Sequence, residues 1–116
     1  MCGGSVFQAA KSDSGGKRKM DETGIIVSSC RHGVILGAIN MYHGETYTHT
    51  HFIHKMCWAL KCKYFCYDVV CRYWPFATEV GKKFPEFKGM TSEMQGMLPI
   101  CHAKAHSYEC QVTVYF

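Results

Sequence analysis

Apolar and polar positions change rhythm several times along this chain, and each change predicts an element. Residues 1–20 hold no sustained rhythm: Gly3-Gly4, Gly15-Gly16 and scattered Ser and Lys read as a loop or linker, with one apolar patch at Val6-Phe7 and Ala9-Ala10. From Gly24 the pattern tightens. Ile25-Ile26-Val27 is β-branched and predicts a strand, and Val34 to Ile39 predicts a second, so the two form a hairpin around Cys30 to Gly33. Tyr47 to Leu60 carries Phe52, Ile53, Met56 and Leu60 near helical spacing. Lys63 to Tyr67 is a short aromatic run that predicts a buried strand ending at Asp68. Val69 to Phe84 fits a helix, in which Pro75 demands a break or a first-turn position. Pro85 to Met94 reads as a polar connection, and Met97 to Cys101 as another strand leading into a helix from His102. Gln111 to Phe116 alternates Val and Tyr with polar residues and is strand-like.

This order is an α/β pattern: strand, strand, helix, strand ending in Asp, helix, strand, helix. A length of 116 residues allows one small domain, and 47% hydrophobic with 14% aromatic residues suits a packed core. Residues 1–20 are then a flexible basic segment, and 21–116 the folded domain. The net charge of +4 sits mostly in that leading segment, through Lys11, Lys17, Arg18 and Lys19. The rest is nearly neutral, which argues against a broad nucleic-acid face and leaves a solvated linker or a basic arm as readings of the run.

Eight cysteines suggest a secreted disulfide scaffold first. Residues 1–20 lack the apolar core of a signal peptide, and no apolar run is long enough to span a membrane. The expectation is therefore reduced thiols in a nuclear or cytoplasmic protein that is not secreted and has no membrane partner.

Several Cys, His and Asp residues have ligand spacing. His102, His106 and Cys110 lie at i, i+4, i+8, on one stripe of a helix, and imidazole and thiolate are preferred zinc donors. On this motif alone the simpler reading is that His102 and His106 cap or hydrogen-bond locally while Cys110 sits in the core. Cys30 and His32 share a face if extended, or belong to a turn at Gly33. Cys71 follows Asp68 by three residues. No Cys-x-x-Cys is present. His49, His51 and His54, set among Thr residues, read as an exposed loop with an accidental cluster. Asp68 has catalytic potential at the carboxyl end of a strand, although an Asp there is also a common helix N-cap. Asp21-Glu22 precedes its strand and reads as a strand-entry turn.

Taken as a set, these segments resemble the middle of a KDZ (Kyakuja–Dileera–Zisupton) transposase of the Zisupton-like kind. The carrying residues are Met20 to Ile25, Cys30-Arg31-His32-Gly33, Asn40 to Glu45, Tyr67 to Pro75 and His102 to Ser107, with Cys2 to Ala10 similar to what precedes them. The resemblance implies an α/β, partial ribonuclease H-like (DDE transposase) fold, a mixed sheet with flanking helices. It implies DNA as the partner and Mg or Mn as the cofactor. Asp68 matches the second acidic position of the triad. The first is expected upstream of Met1 and the third downstream of Phe116, so the chain is expected to be an inactive central fragment. A structural zinc would draw on Cys30, His32, Cys71, His102, His106 and Cys110. A missing strand would leave a sheet edge open to self-association. The same reading places the hairpin and the Asp68 strand in one sheet, with Ile25, Val27, Val34, Leu36, Phe65 and Tyr67 on its buried faces and Cys71 beside His102.

Overall fold

The computed structural model describes residues 21–100 and Tyr108. These fall into two compact units, divided in sequence between Met56 and Cys57.

The first unit opens with a hairpin. Strand β1 (Gly24–Ser29) pairs antiparallel with β2 (Ile35–Met41), from Gly24 opposite Met41 to Ser29 opposite Ile35, with a bulge between Ser28 and Ser29. The turn closes through Cys30 N–H to the Val34 carbonyl (2.9 Å) and Gly33 N–H to the Cys30 carbonyl (2.9 Å). Gly33 has φ +80, a left-handed conformation that glycine adopts without the steric cost of a Cβ, as three-residue hairpin loops require. Burial alternates along β1, but not in the expected phase. Ile26 is half-covered, whereas Ile25 is 57% and Val27 47% exposed, and Val34 is exposed too. Hydrophobicity alone could not choose the phase, because Ile25, Ile26 and Val27 are all apolar. At the strand entry Glu22 accepts a 3.0 Å hydrogen bond from the Asn40 side chain, in keeping with a turn role for Asp21-Glu22.

Helix α1 (Tyr47–Ala59) forms where expected, beginning in the first unit and ending in the second. Its buried stripe is Thr50, Ile53, His54 and Cys57, at i, i+3, i+4, i+7. This corrects the apolar stripe read from the sequence: Phe52 and Leu60 are exposed, and two polar residues take their place. The histidine-rich segment is thus a helical turn and a half, not a loop. His49 belongs to the cap. Its Nδ1 accepts from the Thr46 backbone N–H at 3.3 Å and lies 3.0 Å from the Thr46 hydroxyl, so a histidine fills the Glu position of a capping box. Close to the hairpin, a Cβ on Gly37 would lie 2.2 Å from the Met56 sulfur, so the small residue makes room for α1.

The second unit is a β-α-β arrangement. Strand β3 (Tyr64–Cys66) runs parallel to β4 (Gln95–Met97), joined by α2 (Val70–Lys83), a 3-10 turn at Pro85–Phe87 and the short α3 (Gly89–Ser92). A parallel pair needs such a crossover. Only Phe65 of β3 is buried, so the strand is not the fully buried one expected. Strand β4 begins two residues earlier than the apolar run predicts, and Pro99 lies beyond it, where a missing N–H does no harm to the ladder. Helix α2 buries Val70, Tyr73, Ala77 and Gly81. It runs straight through Pro75, which neither breaks it nor sits in its first turn. Around it Phe65, Met90, Met94 and Leu98 complete the core. Tyr73 is wholly buried, its ring 5.9 Å from Phe65 and 5.8 Å edge-on from Tyr67. Burial pushes its phenol well above the usual tyrosine range.

The strands therefore make two two-stranded sheets, β1–β2 and β3–β4. The expected single sheet, with the hairpin beside the Asp68 strand, is corrected: among the described residues the partner of β3 is β4. The helix from His102 and the strand at Gln111 to Phe116 lie outside the described residues; Ile100 and Tyr108 are helical.

Candidate functional site

The site builds from the carboxyl ends of β3 and β4. Gln95 N–H bonds to the Lys63 carbonyl (2.9 Å) below the ladder, and Tyr67 N–H bonds to the Met97 carbonyl (3.0 Å) above it. These bonds fix where β3 ends. The chain then turns, Val70 N–H returning to the Tyr67 carbonyl at 3.2 Å, with Asp68 and Val69 at the two central positions. Asp68 is exposed in that turn. The cap position of α2 is Val69, and no side chain caps the helix, so Asp68 stands one residue ahead of the N-cap role the sequence suggested. Its carboxylate lies near the amino end of a 14-residue helix, where the helix dipole favours negative charge. Cys71, half-buried, occupies the first turn of α2.

Beneath the turn the packing is firm. Val70 and Leu98 form a buried cluster, with Tyr67 and Trp74 packed against it. Asp68 is exposed, while Tyr67 before it and Val70 after it are packed into the unit. Two-metal phosphoryl transfer needs several converging carboxylates, and the segment closing β4 at this edge is Leu98-Pro99-Ile100, with no acid. Asp68 alone does not fit a two-ion site.

The candidate zinc donors divide into three groups. Cys30 and His32 meet in the hairpin turn, Sγ to Nδ1 3.9 Å, and His32 also accepts from the Arg31 guanidinium at 3.3 Å. Both could reach one ion, but they supply two donors of the four that a structural zinc takes. Cys71 is on α2. His102, His106 and Cys110 lie outside the described residues, as does the expected approach of Cys71 to His102. Among the described residues no group of three or more Cys, His, Asp or Glu converges on a point. The described cysteines, Cys30, Cys57, Cys62, Cys66 and Cys71, are thiols rather than half-cystines. No described helix is long and apolar enough to cross a membrane.

One feature of the second unit has no counterpart in the sequence reading. A cleft of about 590 Å³ opens along the second half of α2, lined by Trp74, Thr78, Lys82 and Lys88 among others. It comes from residues spread over α2, the 3-10 turn and α3, and no local spacing announces it.

The family model of the Kyakuja-Dileera-Zisupton transposases matches residues 2–116. The chain belongs to the KDZ transposase family. No curated protein and no solved structure matches it. Membership agrees with the order of the Cys30, Tyr67 to Pro75 and His102 segments and with an α/β structure. The described part of this KDZ chain shows small sheets and helices in the expected order.

Proposed function

We propose that this chain is the part of a ribonuclease H-like KDZ transposase that carries one acid of the DDE-type triad, Asp68, and that it does not cut DNA by itself. The observation that carries the reading is the position of Asp68: exposed, at the carboxyl end of a strand in a parallel β-α-β unit, in a turn held by the Tyr67–Met97 bond. Catalytic groups in α/β sheets gather at that edge. The lack of activity follows from the site's chemistry. Mg or Mn would be gathered by carboxylates, and at this edge the described residues offer one. A nicking and strand-transfer assay on a transposon-end duplex, with Mg or Mn, tests this. Cleavage that disappears in Asp68→Ala would overturn the inactivity and support the site. Cleavage that persists in that variant would point to a contaminating nuclease.

Among the described residues β1 and β2 pair only with each other, and this with the exposed Ile25 and Val27 supports a further part of the proposal, self-association through this element. Sedimentation at increasing concentration should show a reversible oligomer that Val27→Lys weakens. A single monomeric species throughout would count against it.

A second reading, a zinc-stabilised interaction module of the same ancestry, is favoured by the approach of Cys30 to His32. It needs at least two further donors, which His102, His106 and Cys110 could supply. Metal analysis decides it: about one equivalent of zinc and a melting point that falls on chelation support it. A metal-free protein that melts identically with and without chelator would remove it.

A further inference from the structure

The cleft in the second unit differs from the Asp68 edge in place and in chemistry. Asp68 precedes α2, whereas the cleft lies along its second half, at Thr78, Gly81 and Lys82, and is completed by Pro85, Lys88, Thr91 and Ser92. Its volume of about 590 Å³ falls within the range of small-ligand sites, ~300–1,000 Å³. Two lysines line it, and no carboxylate does among the described residues.

Trp74 forms the inner wall. A Cβ on Gly96 would come within 2.7 Å of its ring, so the indole rests on bare backbone of β4. It also packs on the Val70–Leu98 cluster, yet remains only half-buried, so ring surface is left on the cleft side. An indole fixed from behind is a stacking platform with little freedom to lose on binding.

The polar groups are of two kinds. Each hydroxyl already spends its proton on a carbonyl: Thr78 Oγ1 on Trp74 (2.9 Å), Ser92 Oγ on Lys88 (3.1 Å), and Thr91 Oγ1 on Lys88 (3.4 Å). They therefore present acceptors to the cleft, suited to amino and imino donors and not to phosphate. The anion-binding capacity rests on Lys82 and Lys88. Lys82 bridges Glu79 at 2.7 Å, but both side chains are well exposed, and such a pair holds its lysine weakly.

A planar ring to stack on, acceptors for ring N–H groups, and two exposed cations describe a site for a strand of unpaired nucleotides. An acidic peptide would satisfy the lysines and leave the indole and the acceptors unused. We propose that this cleft binds single-stranded nucleic acid, with one base against Trp74 and flanking phosphates on Lys82 and Lys88. The proposal rests on the transposase reading for the presence of DNA, and it adds a site away from the catalytic edge.

The test is fluorescence anisotropy of the full 116-residue chain with a labelled dT12 oligonucleotide between 50 and 200 mM salt. An abasic strand of equal length and polyglutamate serve as comparisons. Wild type should bind dT12 about tenfold more tightly than the abasic strand, as loss of one stacked base implies. Lys82→Gln/Lys88→Gln should make the slope of log K against log salt shallower by about 1.4, two phosphates at ~0.7 each. Trp74→Leu should bring dT12 down to the abasic level. Because Trp74 supports the core, the abasic strand and the exposed lysines keep the test independent of that variant's folding. No binding to wild type, equal binding of the abasic strand, or displacement by polyglutamate at equal charge would each overturn the proposal. An unchanged affinity and salt slope in the double lysine variant would overturn the cleft while leaving the transposase reading standing, since that reading is judged by the cleavage assay.

Discussion

Lys61 ends α1 in a conformation that a lysine rarely takes, with φ 63. The bonds around it explain why. Lys61 N–H reaches the Trp58 carbonyl (2.9 Å) and Cys62 N–H the Cys57 carbonyl (3.0 Å), the paired bonds of a Schellman cap. Glycine is the usual residue there, because an L side chain in the left-handed region costs roughly 1 kcal/mol. Lys61→Gly should therefore raise stability by about 1 kcal/mol, read as a higher urea midpoint with an unchanged slope. His51 gives a second prediction. Burial, and then the nearby Lys55 charge, hold its imidazole below the usual 6.5. The unfolded chain takes up that proton more readily than the folded one, so the contribution of His51 is complete above about pH 6.5 and is lost as pH falls below it. Denaturant midpoints from pH 7.5 to 5.5 should fall less steeply in His51→Gln than in wild type. At this scale the place of Asp68 at the end of β3 was legible, since an acid ending an aromatic strand is a local signal. Buried His54 was not: a histidine on a helix looks the same whether it faces core or solvent until its neighbours are known.

Among the elements, α2 shows how tertiary packing overrides a local rule. Pro75 cannot donate to the Cys71 carbonyl, and its ring crowds the preceding turn. The helix holds because Val70, Tyr73, Ala77 and Gly81 are buried on one face, while Pro75 itself is exposed on another. Pro75→Ala restores the missing donor. It also loosens the unfolded chain, an opposing effect of up to about 1 kcal/mol. The net expectation is a gain of about 2 kcal/mol, seen as a higher melting temperature by circular dichroism. Periodicity found the hairpin, α1, β3 and α2 almost to their ends. It missed α3 and displaced β4, because Gln95-Gly96-Met97 is a strand by its pairing with Tyr64-Phe65-Cys66 and not by its own composition. The stripe of α1 was misread for a related reason: Thr50 and His54 are polar letters in interior positions.

At the scale of the whole molecule, the class was legible and the pairing was not. Strand order depends on contacts that no window of sequence contains, so one sheet was expected where β1–β2 and β3–β4 are separate. The cysteine content is settled more directly. With five described thiols, Ellman titration after unfolding without reductant should count at least five per chain; a lower count would restore the disulfide scaffold as a reading. The two sheets also differ in how they are assembled. The hairpin joins neighbours across a tight turn, but Tyr64 finds Gln95 only after α2 has been laid down between them. Closing that distance costs chain entropy before any ladder bond repays it, so β3–β4 is expected to pair after the hairpin. The Asp68 turn would share that order, since the Tyr67–Met97 bond belongs to the same pairing. A chain still growing from the ribosome contains Asp68 before it contains Met97, and until Met97 emerges the Tyr67–Met97 bond that closes the strand beside the carboxylate cannot form.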